Sequence, residues 1–399
     1  MKKSSRHLLS GVSLAVMLAS GHAIAADNVA EALSTGKAYG DFRLRYETVE
    51  QDNALDDANA LTIRSRLGYT TGVVSGFSAT LEFEDSRVVA GEDEYSIPGA
   101  VVDYSVVADP ETTEVDQAFL QYKTDMVTVK AGRQMLTLDN HRFVGHVAWR
   151  QDRQTFDALS AVITPVENLT LTYAFLDQRN RILAEEADVN SKDHLLNAAF
   201  NTGFGKLVAY AYLLEVDQSA DNALDTYGVS FNGSADLDGM KVLYGVEYAT
   251  QDSESVAADY SADYMMVEGG VVVSGITLKA GYEVLGSDDG DYGFSTPLAT
   301  LHKFNGWADI FLGTPAEGLV DMSLTASTAV AGGTVTLMYH DFEADDASAT
   351  VDDLGDELDV SYAMKFGKNY NAGIKYAMYS AGDTGVDTDK LWVWVGASF

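Results

Sequence analysis

The chain has 399 residues, with 60 Asp and Glu against 26 Lys and Arg, a formal charge of −34 and no cysteine. So negative a chain repels nucleic acid and anionic lipid heads, and without thiols it has neither a disulfide framework nor a thiolate metal centre. Its 10% aromatic content, including 21 Tyr, separates it from acidic disordered chains, and its five Pro leave few strand breakers.

Lys2, Lys3 and Arg6 precede the apolar run 8–19, and Ala23-Ile24-Ala25 supplies a small-x-small cleavage motif. This predicts a secretory signal peptide over residues 1–25 and a single domain over 26–399. Removing the signal leaves 23 basic residues against 60 acidic ones. No later stretch approaches the roughly 20 apolar residues of a spanning helix. The exported chain is therefore either soluble or crosses the outer membrane as strands.

From Tyr39 onward, segments of alternating polarity follow at the length of tilted membrane strands. They span 38–50, 59–73, 77–88, 114–124, 127–135, 154–164, 169–180, 192–201, 206–217, 223–233, 241–252, 259–272, 276–286, 318–329, 334–344, 355–366, 371–380 and 388–399. The expected fold is an all-β, transmembrane, antiparallel up-and-down barrel of 18 strands. A different parse of 259–286 and 318–344 gives 16 strands as the alternative.

The connections alternate too. Val74-Ser75, Thr124-Asp125, 165–168, 203–205, Ser274-Gly275, 331–333 and 367–369 are tight and low in acid. The other set is longer and acidic, as at Asp56-Asp57, Glu92-Asp93-Glu94, Glu185-Glu186, Asp288-Asp289, Asp345-Asp346 and 383–389. Short turns on one side and long loops on the other are how outer-membrane barrels are built. The acid on the outer side serves solubility, or bridging by divalent cations to lipopolysaccharide.

Within strands, charge and grease divide with period two. Phe42, Leu44 and Tyr46 oppose Asp41, Arg43, Arg45 and Glu47; Leu61, Ile63, Leu67 and Tyr69 oppose Thr62, Arg64 and Arg66. Phe77, Ala79, Leu81 and Phe83 oppose Ser78, Thr80, Glu82 and Glu84. The apolar set then faces lipid and the charged set a lumen. A hairpin centred at Val74 sets Arg64 near Glu84 and Arg66 near Glu82, and the first loop sets Arg43 near Arg66 and Arg45 near Arg64. Such a wall either orients charged solutes or is stiffened by salt bridges, and both can hold together.

The connection after the fifth strand is richer in base than acid, with Arg142, Arg150 and Arg153. It either folds inward to gate anions or packs on the wall through Phe143 and Trp149. A second unusual connection, 295–318, carries Leu298, Leu301, Phe304, Trp307, Ile310 and Phe311, which need cover, so it folds into the mouth or forms a short helix. The chain ends on a strand whose Leu391, Val393, Val395, Ala397 and Phe399 share a face opposite Trp392 and Trp394.

Runs 39–47 (YGDFRLRYE), 64–69 (RSRLGY), 132–134 (GRQ), 149–151 (WRQ), 155–157 (TFD) and 302–309 (HKFNGWAD) resemble the alginate-export-like outer-membrane porins of Gram-negative bacteria. The resemblance covers most of the chain beyond residue 25, weakest in the outer loops. It implies an 18-stranded barrel with an arginine-bearing lumen, which in the polymer exporter of that family passes a polyuronate. This chain is shorter, with less material for long gating loops, which weighs toward a small-solute porin.

Among His141, His146, His194, His302 and His340 no H-E-x-x-H spacing occurs, and there is no G-x-S-x-G. Asp288-Asp289-Gly290-Asp291 lacks the calcium-loop spacing. No catalytic residue, cofactor or dedicated metal site is expected. The expected function is passive diffusion of small hydrophilic solutes, anionic or polyol, across the outer membrane of a Gram-negative bacterium. The selectivity residues would be Arg43, Arg45, Arg64, Arg66, Glu82, Glu84, Arg142, Arg150 and Arg153. The expected partners are outer-membrane lipid and lipopolysaccharide with divalent cations, and no nucleic acid. A dedicated exporter of acidic polysaccharide is one alternative, and a plugged surface-binding barrel another.

Overall fold

The computed structural model describes residues 26–91, 94–99, 103–217 and 222–399. The expected signal peptide and the acidic pair Glu92-Asp93 lie outside the described residues. A seven-residue helix, α1 (Val29–Thr35), comes first, its N-terminus capped by Asn28 Oδ1 accepting from the Glu31 amide at 3.0 Å.

Each alternating segment then forms a strand. In chain order these are β1 (Lys37–Gln51), β2 (Ala58–Thr70), β3 (Phe77–Ala90), β4 (Thr112–Lys123), β5 (Val127–Gln134) and β6 (Thr155–Val166). Next come β7 (Leu169–Asn180), β8 (Val189–Asn201), β9 (Gly205–Leu214), β10 (Asn222–Leu237), β11 (Met240–Ser255) and β12 (Asp259–Val273). The last are β13 (Ile276–Leu285), β14 (Leu319–Val330), β15 (Gly333–Glu343), β16 (Asp353–Phe366), β17 (Tyr370–Ser380) and β18 (Thr388–Ser398). Every strand pairs antiparallel with its sequence neighbours, and β1 pairs with β18 from Asp41↔Ser398 to Gln51↔Thr388. The sheet is thus a closed 18-stranded barrel, which rules out the 16-strand parse.

The faces divide as expected. Leu324, Val393, Val395 and Phe399 are 60%, 43%, 45% and 66% exposed on the outside, whereas Trp392 on the inner face is fully buried. Arg45, Glu47, Glu84, Asp193, Glu357 and Asp359 are buried inside the same barrel. A water-soluble barrel would reverse this arrangement, so the outer band faces hydrocarbon.

Two registers differ from expectation. The hairpin after β2 is closed by Ser75 (φ 50°) and Gly76 (φ 87°), with Val74 bridging Phe77, a turn whose positive φ angles match strand twist. Its centre lies one residue past the expected Val74-Ser75. Because moving a hairpin's centre by one residue moves every partner by two, Arg66 lies opposite Glu84, and Arg64 opposite Ser86. A displacement of equal size in the opposite direction around the first loop sets Arg43 opposite Arg64, and Arg45 opposite Thr62. A further tight turn, Asp238-Gly239, joins β10 to β11, so both strands run longer than their alternation suggested and one short turn is acidic.

The outer connections 135–154 (L3) and 286–318 (L7) turn into the barrel. Phe143 of L3 packs against Tyr210, Tyr212, Tyr264 and Phe294, with centroids 5.1 to 6.0 Å apart. L7 contains a single short 3-10 turn, Leu301–Lys303, and buries Leu298, Trp307 and Ala308. The sequence left two courses open for each loop: L3 both turns inward and packs on the wall through Phe143, and L7 both enters the barrel and forms a short helical turn.

Candidate functional site

The inward faces of β1 and β2 hold Arg43, Arg45, Arg64 and Arg66 because strand alternation sends every second residue to the lumen. Arg43 has neutral oxygen partners rather than a carboxylate. It donates to the backbone carbonyls of Ala148 (3.1 Å), Trp149 (2.7 Å) and Arg150 (2.6 Å), and to Gln151 Oε1 (3.0 Å). Arg45 pairs with Asp109 and with Glu47 at 3.2 Å, and also donates to the Trp149 carbonyl. Arg64 pairs with Asp41 and Arg66 with Glu84. Arg43, Arg45 and Arg66 therefore grip L3, the last through the Gln151 carbonyl at 3.3 Å, while Arg64 is held by Asp41.

L3 returns the grip with its own cations. Arg142 donates to Glu283 on β13 at 2.8 Å and to Asn305 of L7 at 3.1 Å. Arg150 joins Glu47 on β1 at 3.0 Å and Asp309 of L7 at 2.9 Å. Arg153 pairs with Glu82 on β3 and with Asp116 on β4. All three expected loop arginines thus point into the barrel, each in an ion pair. In so enclosed a setting a paired charge holds structure, since losing either partner strands the other.

The two groups expected only as loop material, L3 and L7, are paired by backbone. Val144 and Leu298 form a parallel bridge, Gly145 N–H donates to the Leu298 carbonyl at 2.8 Å, and Thr300 N–H donates to the His141 carbonyl at 3.1 Å. A Cβ on Gly145 would overlap Thr300, so glycine is what allows this approach. Burial holds the His302 imidazole down at about 3. Asp309 is buried as well, which alone would raise it, yet His302, Lys390 and Arg150 hold its carboxyl well below the usual range. Burial and the nearby Arg153 likewise lower His146 to about 4.

Beneath L3, on the side of the short turns, is a cavity of about 380 Å³. Its charged lining is Arg43, Arg64, Arg66 and Arg153 against Asp41 and Glu82, with Tyr39, Asn371 and Trp394 as neutral walls. Five of the expected selectivity residues therefore meet around one space. Arg142, Arg150 and Glu84 do not line it, and Arg45 lies behind Trp149.

Sequence reasoning overlooked Lys375 on β17. Its ammonium lies 3.8 Å from the Trp307 ring centre, 4.2 Å from that of Trp149 and 5.9 Å from that of Trp392, and it meets His302 Nε2 at 3.0 Å. The inward orientation was readable from alternation with Asn371 and Gly373. The aromatic surroundings were not, because they come from two distant loops. Glu357 was also overlooked; its carboxylate accepts the Trp307 and Ala308 amides.

The fold is shared with solved outer-membrane channels. Pseudomonas aeruginosa OccK9 (OpdG) superposes at a TM-score of 0.72 with 15% identity, covering 92% of this chain and 98% of that one. Acinetobacter baumannii OccAB4 gives 0.74 with 13% identity over 91% and 98%. P. aeruginosa OpdK, solved with vanillate, gives 0.70 with 12% identity over 91% and 98%. No curated protein matches the chain in sequence. The Alginate export family model matches residues 35–284, which span β1 to nearly the end of β13. With that match over more than half its length, the chain is an outer-membrane β-barrel of Gram-negative type that belongs to the alginate export family.

Proposed function

We propose that this barrel is a diffusion channel for small hydrophilic solutes, with anionic and polyol solutes favoured. The carrying observation is the cavity under L3, where Arg64, Arg66 and Arg153 are each ion-paired and Arg43 adds a guanidinium with no contacting carboxylate. That uncancelled positive charge beside low-dielectric walls raises the local concentration of anions. Arg43 contributes most per residue, because its partners are neutral carbonyls and its charge is not cancelled by a contacting carboxylate. Tyr39, Asn371 and the Trp394 ring supply hydroxyl, amide and stacking surfaces that suit a ring bearing hydroxyls or a carboxylate. OpdK, which shares the fold, was solved with an aromatic carboxylate, vanillate, and this supports the same solute class here.

Reversal potentials of the reconstituted barrel under a salt gradient test this reading. Anion preference, with glucuronate or vanillate blocking the current, supports it. Cation preference with no block by either overturns it. The family match favours a second reading, export of an acidic polysaccharide, which predicts block by alginate oligomers and little current of its own. A barrel with no current under any condition would be the plugged, surface-binding alternative.

A further inference from the structure

All four tryptophans of the chain converge in the lumen, although the lipid interfaces are where barrels usually keep them. Trp149 comes from L3, Trp307 from L7, and Trp392 and Trp394 from the inner face of β18. Trp149 meets both strand tryptophans edge-on, with centroids 5.6 Å apart in each case. Lys375 is inserted among Trp149, Trp307 and Trp392, so one wall side chain touches both loops and the neighbouring strand. Most other loop anchors are ion pairs, whereas Lys375 contacts indole faces and an imidazole nitrogen.

That nitrogen fixes a relay. In its ammonium form Lys375 can only donate, so His302 Nε2 then accepts and carries no proton. The proton of the neutral ring is then on Nδ1, which donates to Asp309 at 2.7 Å. Asp309 in turn receives Arg150 of L3 at 2.9 Å. The line from wall to L7 to L3 is continuous, and L3 and L7 are already joined through Gly145 and Leu298.

We propose that L3 and L7 form one rigid body and that Lys375, caged by three tryptophans, is the positioning residue that sets where this body sits over the cavity. The inference rests on the channel reading for its functional meaning, but its structural content does not require current. A substitution at Lys375 would change the seating of both loops together, while the seam between them would hold.

The test uses the intact barrel in detergent. Because every tryptophan lies at this cluster, acrylamide quenching of fluorescence excited selectively at tryptophan, outside the absorption of the 21 tyrosines, reads the seating. Lys375→Met, which keeps volume and loses the charge, should raise the quenching constant roughly twofold or more as the body loosens. Lys375→Arg should restore it, and the heat-induced mobility shift of the barrel on gels should not change in either variant. Unchanged quenching in Lys375→Met overturns the proposal, as does a loss that Lys375→Arg fails to rescue. If Lys375→Met fails to fold, a second variant decides. In this cysteine-free chain, the pair Val144→Cys and Leu298→Cys should oxidise to a disulfide across the seam and leave quenching and current as they were. A disulfide that alters either one shows that the loops move separately and overturns the proposal. Failure of the channel reading appears in the wild type, as missing current or as cation preference without block, so the two failures are told apart.

Discussion

The rings of Trp149 and His302 lie face to face, their centroids 4.5 Å apart and their planes within 4°. One ring belongs to L3 and the other to L7, so this stack lies on the seam between the loops. Removing the indole by Trp149→Ala should weaken docking of L3 by on the order of 3–5 kcal/mol, the usual cost of emptying a large aromatic site. Hydrogen exchange at the Gly145 and Thr300 amides, both donors across the seam, measures it. Exchange should quicken there while the amides of β1 to β18 keep their protection.

His302 makes docking depend on pH with a definite sign. Its folded value is depressed to about 3 by burial, so the docked ring is neutral, next to the Lys375 ammonium and the Asp309 carboxylate. The released ring binds a proton below its ordinary value of about 6.5. Docking is therefore insensitive to this group above about pH 7 and weakens by up to about 1.4 kcal/mol per pH unit as pH falls from 6.5 towards 3. Intrinsic fluorescence followed from pH 8 to 4 should show this loss. The difference between wild type and His302→Gln isolates it from the buried carboxylates.

The arginines should separate by function. Arg64→Ala removes positive charge from the cavity lining without removing an L3 anchor, and the reversal potential should move toward cations. Arg142→Ala instead leaves Glu283 without its guanidinium in an enclosed setting and should cost about 3–5 kcal/mol of loop docking, and Arg153→Ala, which strands Glu82 and Asp116, should loosen L3 likewise. A selectivity shift without loosening for Arg64→Ala, and loosening for the two L3 arginines, checks the division. Equal effects in all three would refute it.

On the lipid side, Leu324 is 60% exposed in the middle of β14. Leu324→Arg should destabilise the inserted barrel by roughly 2–4 kcal/mol, the cost of a guanidinium near the bilayer midplane. Equilibrium refolding into vesicles under urea measures it, and a change near zero would contradict the outward assignment of this face.

The fold was largely legible because period two is a hard constraint. Asp41, Arg43 and Arg45 must share a face, and so must Leu391, Val393 and Val395. Strand number followed from the same pattern, and the inward fate of 295–318 followed from apolar residues that needed cover. Register was less legible, because it depends on which residues adopt positive φ at a turn, and Ser75 gives no signal of that. The partners of Arg142, Arg150 and Arg153 were illegible. Glu283, Asp309, Glu82 and Asp116 are ordinary acids in an acid-rich chain, and only the closed barrel brings them to these cations. Lys375 was hidden for the same reason, since its cage is assembled from three separate stretches.

The junction of β1 and β18 sets Arg45 opposite Trp394 and Glu47 opposite Trp392, so the part of the L3 receptor that meets Trp149 and Arg150 spans the first and last strands. It does not exist until the final strand has zipped to the first. An insertion intermediate with ajar edges would present L3 with half a berth, its guanidiniums and indoles unmet. Loop docking therefore reports on completed closure, and a protease that finds L3 undocked would be recognising a barrel still unsealed.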